Sequence, residues 1–213
     1  TVITTMSEIV KVEPVTSGIF YITWTIQLRC NYDCMYCGPM RHSVDEEMPS
    51  LEQLKSQWIQ IFAKTKHRKL LYQIVFSGGE PVVNKDFLPF IDWLHENYSE
   101  YLYETGLITN GSASQDHYLK LFKNLNYITF STHTEFMDEE KLFATAKTLS
   151  RYSRTNSGKY FMVNIMHEPW AKNTVQGFIT RCKRSGINYS ETEHIDMSRK
   201  TRDYPIFKIK EYD

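Results

Sequence analysis

Apolar and polar positions along the chain form six short strand-like runs separated by helical patterns. The runs are Ile22–Leu28, Leu71–Ser77, Tyr103–Thr109, Tyr127–Ser131, Tyr160–Met166 and Asn188–Glu193. Between them, apolar residues recur at helical spacing. Ser50 followed by Gln53 is a capping-box pattern, and Leu51, Leu54, Trp58, Ile61 and Phe62 then fall on one face. Asp86 is placed to cap the next helix, whose Pro89 is tolerable because first-turn amides have no helical partner. Ser114 precedes a helix with Tyr118, Leu121, Phe122 and Leu125 inward. Asp138 precedes another, with Leu142, Phe143, Ala146 and Leu149 inward. Val175, Phe178, Ile179 and Cys182 mark the last.

Repeated strand–helix alternation implies an α/β protein with a parallel sheet. A closed eight-fold barrel usually takes about 250 residues, so six units predict a partial (β/α)6 TIM-like barrel. We expect a single domain over residues 1–213, with a core at about 20–195, a short N-terminal extension and a C-terminal tail. The tail after Met197 is charged and aromatic and shows no assignable element. Two strands alternate in polarity: Thr23, Thr25 and Gln27 on one face of the first, and Tyr127, Thr129, Ser131 and His133 on one face of the fourth. Fully buried parallel strands are apolar on both faces. A polar face suits a ligand-holding interior, although an edge strand alternates too.

Composition adds mostly exclusions. The 213 residues carry 25 Lys plus Arg and 25 Asp plus Glu, so charge gives no general argument for nucleic acid or anionic membrane. The local cluster Arg181, Lys183 and Arg184 reads as a solvated helix end. No apolar run approaches the roughly 20 residues of a membrane span. The start, TVITTMSEIVKVEP, lacks a basic leader and an apolar signal core, so a cytoplasmic location is expected. It also lacks an initiator Met, which is consistent with a trimmed chain.

Three of the four cysteines cluster in CNYDCMYC, as Cys30, Cys34 and Cys37, just after the first strand. Such crowding does not resemble a secreted disulfide framework. Thiolates ligate iron–sulfur clusters, and three thiolates on a cubane leave one of its four irons open. Cys182 lies on a helical apolar stripe and reads as a core thiol. An open iron can chelate a small molecule through an amine and a carboxylate. The competing reading is a Cys3His zinc site with His42. The second strand ends in Ser77-Gly78-Gly79-Glu80-Pro81, where glycines permit close approach to a ligand at a strand's carboxyl end.

The spacing C-x3-C-x2-C, followed one strand later by GGEP, resembles the radical S-adenosylmethionine (SAM) enzymes. In that family an aromatic residue commonly precedes the third cysteine, and Tyr36 stands there. Thr109-Asn110-Gly111 at the end of the third strand fits the same pattern, and the resemblance runs from about Thr23 to Glu193. It implies that Cys30, Cys34 and Cys37 hold one [4Fe–4S] cluster and that Tyr36 lies against adenine. Gly78 and Gly79, with backbone near Ser77 and Glu80, would receive the methionine amino group. Thr109, Asn110, Ser131 and Asn164 complete the expected cofactor contacts, the last two at the ribose or carboxylate. The implied reaction is reductive cleavage of SAM to methionine and a 5′-deoxyadenosyl radical, which removes hydrogen from a substrate. A low-potential donor, flavodoxin or ferredoxin, is the implied partner.

The substrate is less legible. A small molecule, a nucleotide, a peptide and, for an activase, a glycyl-radical partner protein all remain open. Strand-end residues that could handle substrate protons are His133 and Glu191, followed by Glu135, His167, Glu168, Glu193 and His194.

Overall fold

The computed structural model of the chain describes residues 18–34, 36–37, 47–168 and 170–193. These contain six strands: β1 (Ile19–Thr25), β2 (Leu71–Ser77), β3 (Leu102–Thr109), β4 (Tyr127–Ser131), β5 (Tyr160–His167) and β6 (Tyr189–Glu193). Five α-helices alternate with them: α1 (Leu51–Thr65), α2 (Phe87–Tyr98), α3 (Gln115–Asn124), α4 (Glu139–Thr155) and α5 (Lys172–Ser185). The strands form one sheet in the order β1-β2-β3-β4-β5-β6, every neighbouring pair parallel. Among the described residues β1 and β6 do not pair, so the sheet is an open partial barrel, as expected.

The helices cover one face of this sheet. Trp24 of β1 packs on Trp58 of α1 and Phe90 of α2, Phe76 of β2 on Phe87 of α2, and Phe130 of β4 on Tyr118 of α3. Ile22, Ile74, Leu107, Ile128, Phe161, Val163 and Ile165 point the same way and are buried in the same core. Residues of opposite parity face the barrel interior. Thr23, Thr25, Ser77, Ser131 and Asn164 are half-buried there, a polar face of the kind the alternation predicted.

Local sequence explains most boundaries. Ser50 closes the anticipated capping box on α1, its hydroxyl accepting from Gln53 N while Gln53 Oε1 accepts from Ser50 N. Ser114 and Asp138 accept from His117 N and Lys141 N and so cap α3 and α4. Gly186, at φ 63°, ends α5.

Two expectations need correction. Asp86 makes no side-chain cap on α2; its Oδ2 instead accepts from Leu51 N at 3.3 Å, serving the first turn of α1. The helices meet side by side, and the free amide of the neighbour is the one within reach. The first strand runs Ile19–Thr25, not Ile22–Leu28. Its ladder is fixed by pairing from Ile19↔Leu71 to Thr25↔Ser77, and the chain beyond Thr25 is given over to the loop described next. His42, His194 and the tail after Met197 lie outside the described residues.

Candidate active site

Beyond the last ladder pair, β1 and β2 stay joined. Ile26 N donates to Ser77 O (3.0 Å), Gly79 N to Gln27 O (2.8 Å) and Glu80 N to Arg29 O (2.9 Å). The segment entering the cysteine loop is thereby laid against the Gly78–Gly79 backbone. A Cβ at Gly78 would stand 2.3 Å from Gln27 O, and one at Gly79 would stand 2.3 Å from both Leu28 O and Arg29 O. Gly78 also has φ +132°, which L side chains rarely adopt. Closeness and backbone conformation together require glycine here.

Glu80 continues the same construction. Its carboxylate is fully buried and accepts from Thr109 Oγ1 (2.7 Å), Asn110 N (2.6 Å) and Val82 N (3.2 Å). Burial raises its pKa to about 7, against these three donors, which lower it. Asn110 carries the link onward: its Nδ2 donates to Asn31 Oδ1 (2.9 Å) and lies 3.9 Å from Cys30 Sγ. The ends of β2 and β3 and the cysteine loop therefore form one hydrogen-bonded unit. The side chains of Glu80 and Thr109 are spent inside it, leaving their backbone as what they offer a ligand.

In the loop, Cys34 is buried and Cys30 and Cys37 are half-buried. Cys37 N donates to Cys34 O at 2.9 Å, and Tyr32 N to Cys30 Sγ at 3.3 Å. Burial, and then the neighbouring Cys37 and Cys30, push the Cys34 thiol up to about 12. A metal that binds the thiolate reverses that preference. Among the described residues no three His, Cys, Asp or Glu side chains come together as ligands of one metal ion. A cubane makes no such demand, since each thiolate binds a different iron. Cys182 is buried in the core on α5.

The donor set fits a cluster with a small-molecule ligand in two further respects. The Gly78–Gly79 turn brings backbone within reach of the loop. Gln27 Oε1, buried beside it, has no hydrogen-bond partner among the described residues. The Gln27 amide nitrogen is held by Glu80 O (2.9 Å) and Arg29 O (3.3 Å), so the orphan acceptor points away from both. Burying such an oxygen unpaired costs about 1–3 kcal/mol.

Aromatic rings flank the loop. Tyr36 hydrogen-bonds through its hydroxyl to His133 Nδ1, and the two rings stack at 5.8 Å and 26°. Trp170 packs on Tyr36, and Tyr32 stacks on Phe136. Burial lowers the His133 pKa to about 4, so the ring is neutral near pH 7. Glu168, 1% exposed, accepts from Thr134 N (2.9 Å) and from the Tyr36 hydroxyl, tying the β4 and β5 exits to the cysteine loop.

The interior face of the sheet supplies the remaining positions. Ser131, Asn164 and Ser190 share one register row across β4, β5 and β6. Asn164 Oδ1 accepts from Ser190 Oγ (3.0 Å) and Thr192 Oγ1 (2.7 Å). Of the two residues expected to act on substrate, His133 joins this assembly and Glu191 does not. Glu191 pairs in register with Ile165, whose side chain is buried on the helix side, and its Oε2 meets His167 Nε2 at 2.7 Å. Parity puts its carboxylate on the face opposite Ser190 and Thr192. The same parity, legible in YSETE, was the available signal for Ser190 and Thr192. No local signal announced the bonds made by Glu168 or Gln27.

Cysteine thiols, a glycine cradle and a polar strand face at the carboxyl ends of one open barrel define a class of protein. The chain belongs to the Radical SAM superfamily, whose family model matches residues 24–165. It is 28% identical over 136 residues to the GTP 3',8-cyclase of Campylobacter jejuni (strain RM1221), covering 62% of this chain and 39% of that protein. Over 88 residues it is 32% identical to the S-adenosylmethionine-dependent nucleotide dehydratase of Selenomonas ruminantium, covering 41% and 28%. The match thus spans well under half the length of these curated relatives.

Proposed function

We propose that the chain carries the SAM-cleaving core of a radical enzyme, with Cys30, Cys34 and Cys37 as ligands of one [4Fe–4S] cluster. The carrying observation is the hydrogen-bonded unit that joins the cysteine loop, Gly78–Gly79 and Asn110 at one end of the sheet. When bound, the reduced cluster supplies the electron that breaks a carbon–sulfur bond of SAM and yields a radical able to take hydrogen from a substrate.

The protein's share is placement. Gly78 and Gly79 let backbone approach the methionine amino group, and the buried Glu80 carboxylate holds the ends of β2 and β3 in register beneath it. Ser131 and Asn164 face the ribose or carboxylate from the strand interior. Tyr36, stacked on neutral His133, forms the wall for adenine. Of the first-named pair of substrate-handling residues, His133 and Glu191, His133 reaches this space. A substrate would sit on the open polar face, and the names of the two relatives favour a nucleotide. A low-potential flavodoxin or ferredoxin is the expected electron source. The zinc alternative would need His42 and leaves the Gly78–Gly79 cradle without a use.

The test is anaerobic reconstitution with iron and sulfide, addition of SAM and dithionite, and assay for 5′-deoxyadenosine. We expect the nucleoside from the unaltered protein and none from Cys34→Ala. Nucleoside release by Cys34→Ala would overturn the ligand assignment; a colourless protein holding one zinc would overturn the function.

A further inference from the structure

Asn164 is held more tightly than a strand-face asparagine needs to be. Its Oδ1 accepts from two hydroxyls of the edge strand, Ser190 Oγ at 3.0 Å and Thr192 Oγ1 at 2.7 Å. Its Nδ2 lies 3.8 Å from Met166 Sδ. A thioether sulfur accepts but cannot donate. The opposite amide orientation would set Oδ1 against that sulfur, acceptor to acceptor. A hydroxyl donates or accepts, so it is the sulfur that decides which end of the amide is which, and the two hydroxyls then hold that end in place.

Parity places all four side chains on the interior face. Asn164 pairs with Ser131 and Ser190, and Met166 with Thr192. The alternate residues Val163 and Ile165 are buried toward the helices, and Tyr189 packs against the core on that side. With Oδ1 occupied twice and the sulfur a weak acceptor, the amide is left presenting N–H. A neutral donor on this face recognises an oxygen acceptor, such as a sugar or carboxylate oxygen, rather than a cation.

We propose that Ser190 and Thr192 are positioning residues: they hold the Asn164 amide so that its Nδ2 donates to a ribose or carboxylate oxygen of bound SAM. The proposal rests on the SAM-binding reading above. Neither hydroxyl touches the ligand in this arrangement; each acts through Asn164.

SAM binding to the cluster-loaded protein, kept oxidised so that no cleavage occurs, tests this by calorimetry. Iron content and unfolding midpoint are followed in parallel. Losing one neutral hydrogen bond should raise the Kd for SAM about three- to tenfold in Thr192→Val and in Ser190→Ala. Thr192→Ser, which keeps the hydroxyl, should bind within about twofold of the unaltered protein. In an Asn164→Ala background, Thr192→Val should have no further effect, because the residue it positions is gone. A purely structural role would instead lower the unfolding midpoint and leave the Kd unchanged. Normal SAM affinity in both Thr192→Val and Ser190→Ala overturns the proposal, as does an undiminished Thr192→Val effect in the Asn164→Ala background. If the unaltered protein, with its cluster in place, binds no SAM, the underlying reading falls first and takes the proposal with it.

Discussion

At the residue scale, the cysteine loop depends on groups that are not cysteines. Gly79 is the clearest case. An alanine methyl there would stand 2.3 Å from two backbone oxygens, Leu28 O and Arg29 O, and neither can swing aside as a side-chain end could. Gly79→Ala should therefore displace the entry to the loop and lower iron uptake on reconstitution, with all three cysteines intact. Full iron loading in Gly79→Ala would show that the close approach is dispensable. Single residues also show where sequence reasoning stops. Gly78–Gly79–Glu80 was legible as a close-approach turn, but the glutamate's use was not. Its carboxylate is bound to Thr109 and Asn110, far along the chain, and only folding of β3 beside β2 creates those partners. The chemistry of Glu191 suits proton transfer, but its parity sets it with Ile165, while Ser190 and Thr192 share the face of Asn164 and Met166.

At the scale of elements, periodicity carried most of the result. Among the described residues the six strands and five helices follow one another in the order that the apolar runs and helical spacing predict, because one covered sheet face imposes both patterns. Ends shifted where pairing overrode local preference, as in β1. Asp86 is the instructive exception among caps. Its sequence position suits the start of α2, yet its carboxylate serves Leu51 N of α1, and Asn84 Nδ2 on the same turn holds Pro49 O (2.9 Å). The turn before α2 thus clamps the start of α1. Asp86→Ala should speed amide hydrogen exchange at Leu51 and in the first turn of α1, leaving the first turn of α2 nearly unchanged. Loss of a cap of this kind costs about 1 kcal/mol, or roughly fivefold in local protection. Faster exchange confined to α2 would restore the simpler assignment.

At the scale of the whole molecule, burial of ionisable groups sets how stability responds to acid. His95 donates or accepts at Thr105 Oγ1 (3.0 Å) where α2 packs on β3. Burial first, and then Lys159, lower its pKa from 6.5 to about 4, with Asp92 opposing. The fold thus prefers the neutral ring. Below pH 6.5 the His95 of the unfolded chain takes up a proton that the folded one refuses, so this residue's contribution to stability is lost as pH drops from about 6.5 toward 4. His117 and His133 are shifted in the same direction. Glu80, raised to about 7, acts in the opposite direction over much of this range; the urea midpoint of His95→Gln should therefore rise relative to that of the unaltered protein as pH falls from about 6.5 to 4. An equal slope in both proteins would remove His95 from the explanation.

The sequence by itself determined the alternation of strands and helices, the loop of three thiols and the glycine turn one strand later. These are local properties: period, spacing and the chemistry of neighbours in the chain. Only the tertiary structure decided that Glu80 would brace two strand ends, that Glu168 would reach Tyr36, and that Asn164 would be held by two edge-strand hydroxyls. It also decided that Glu191 would face away from the site. Each of these depends on which strand lies beside which and in what register, and a shift of one residue would reverse the face of every side chain involved.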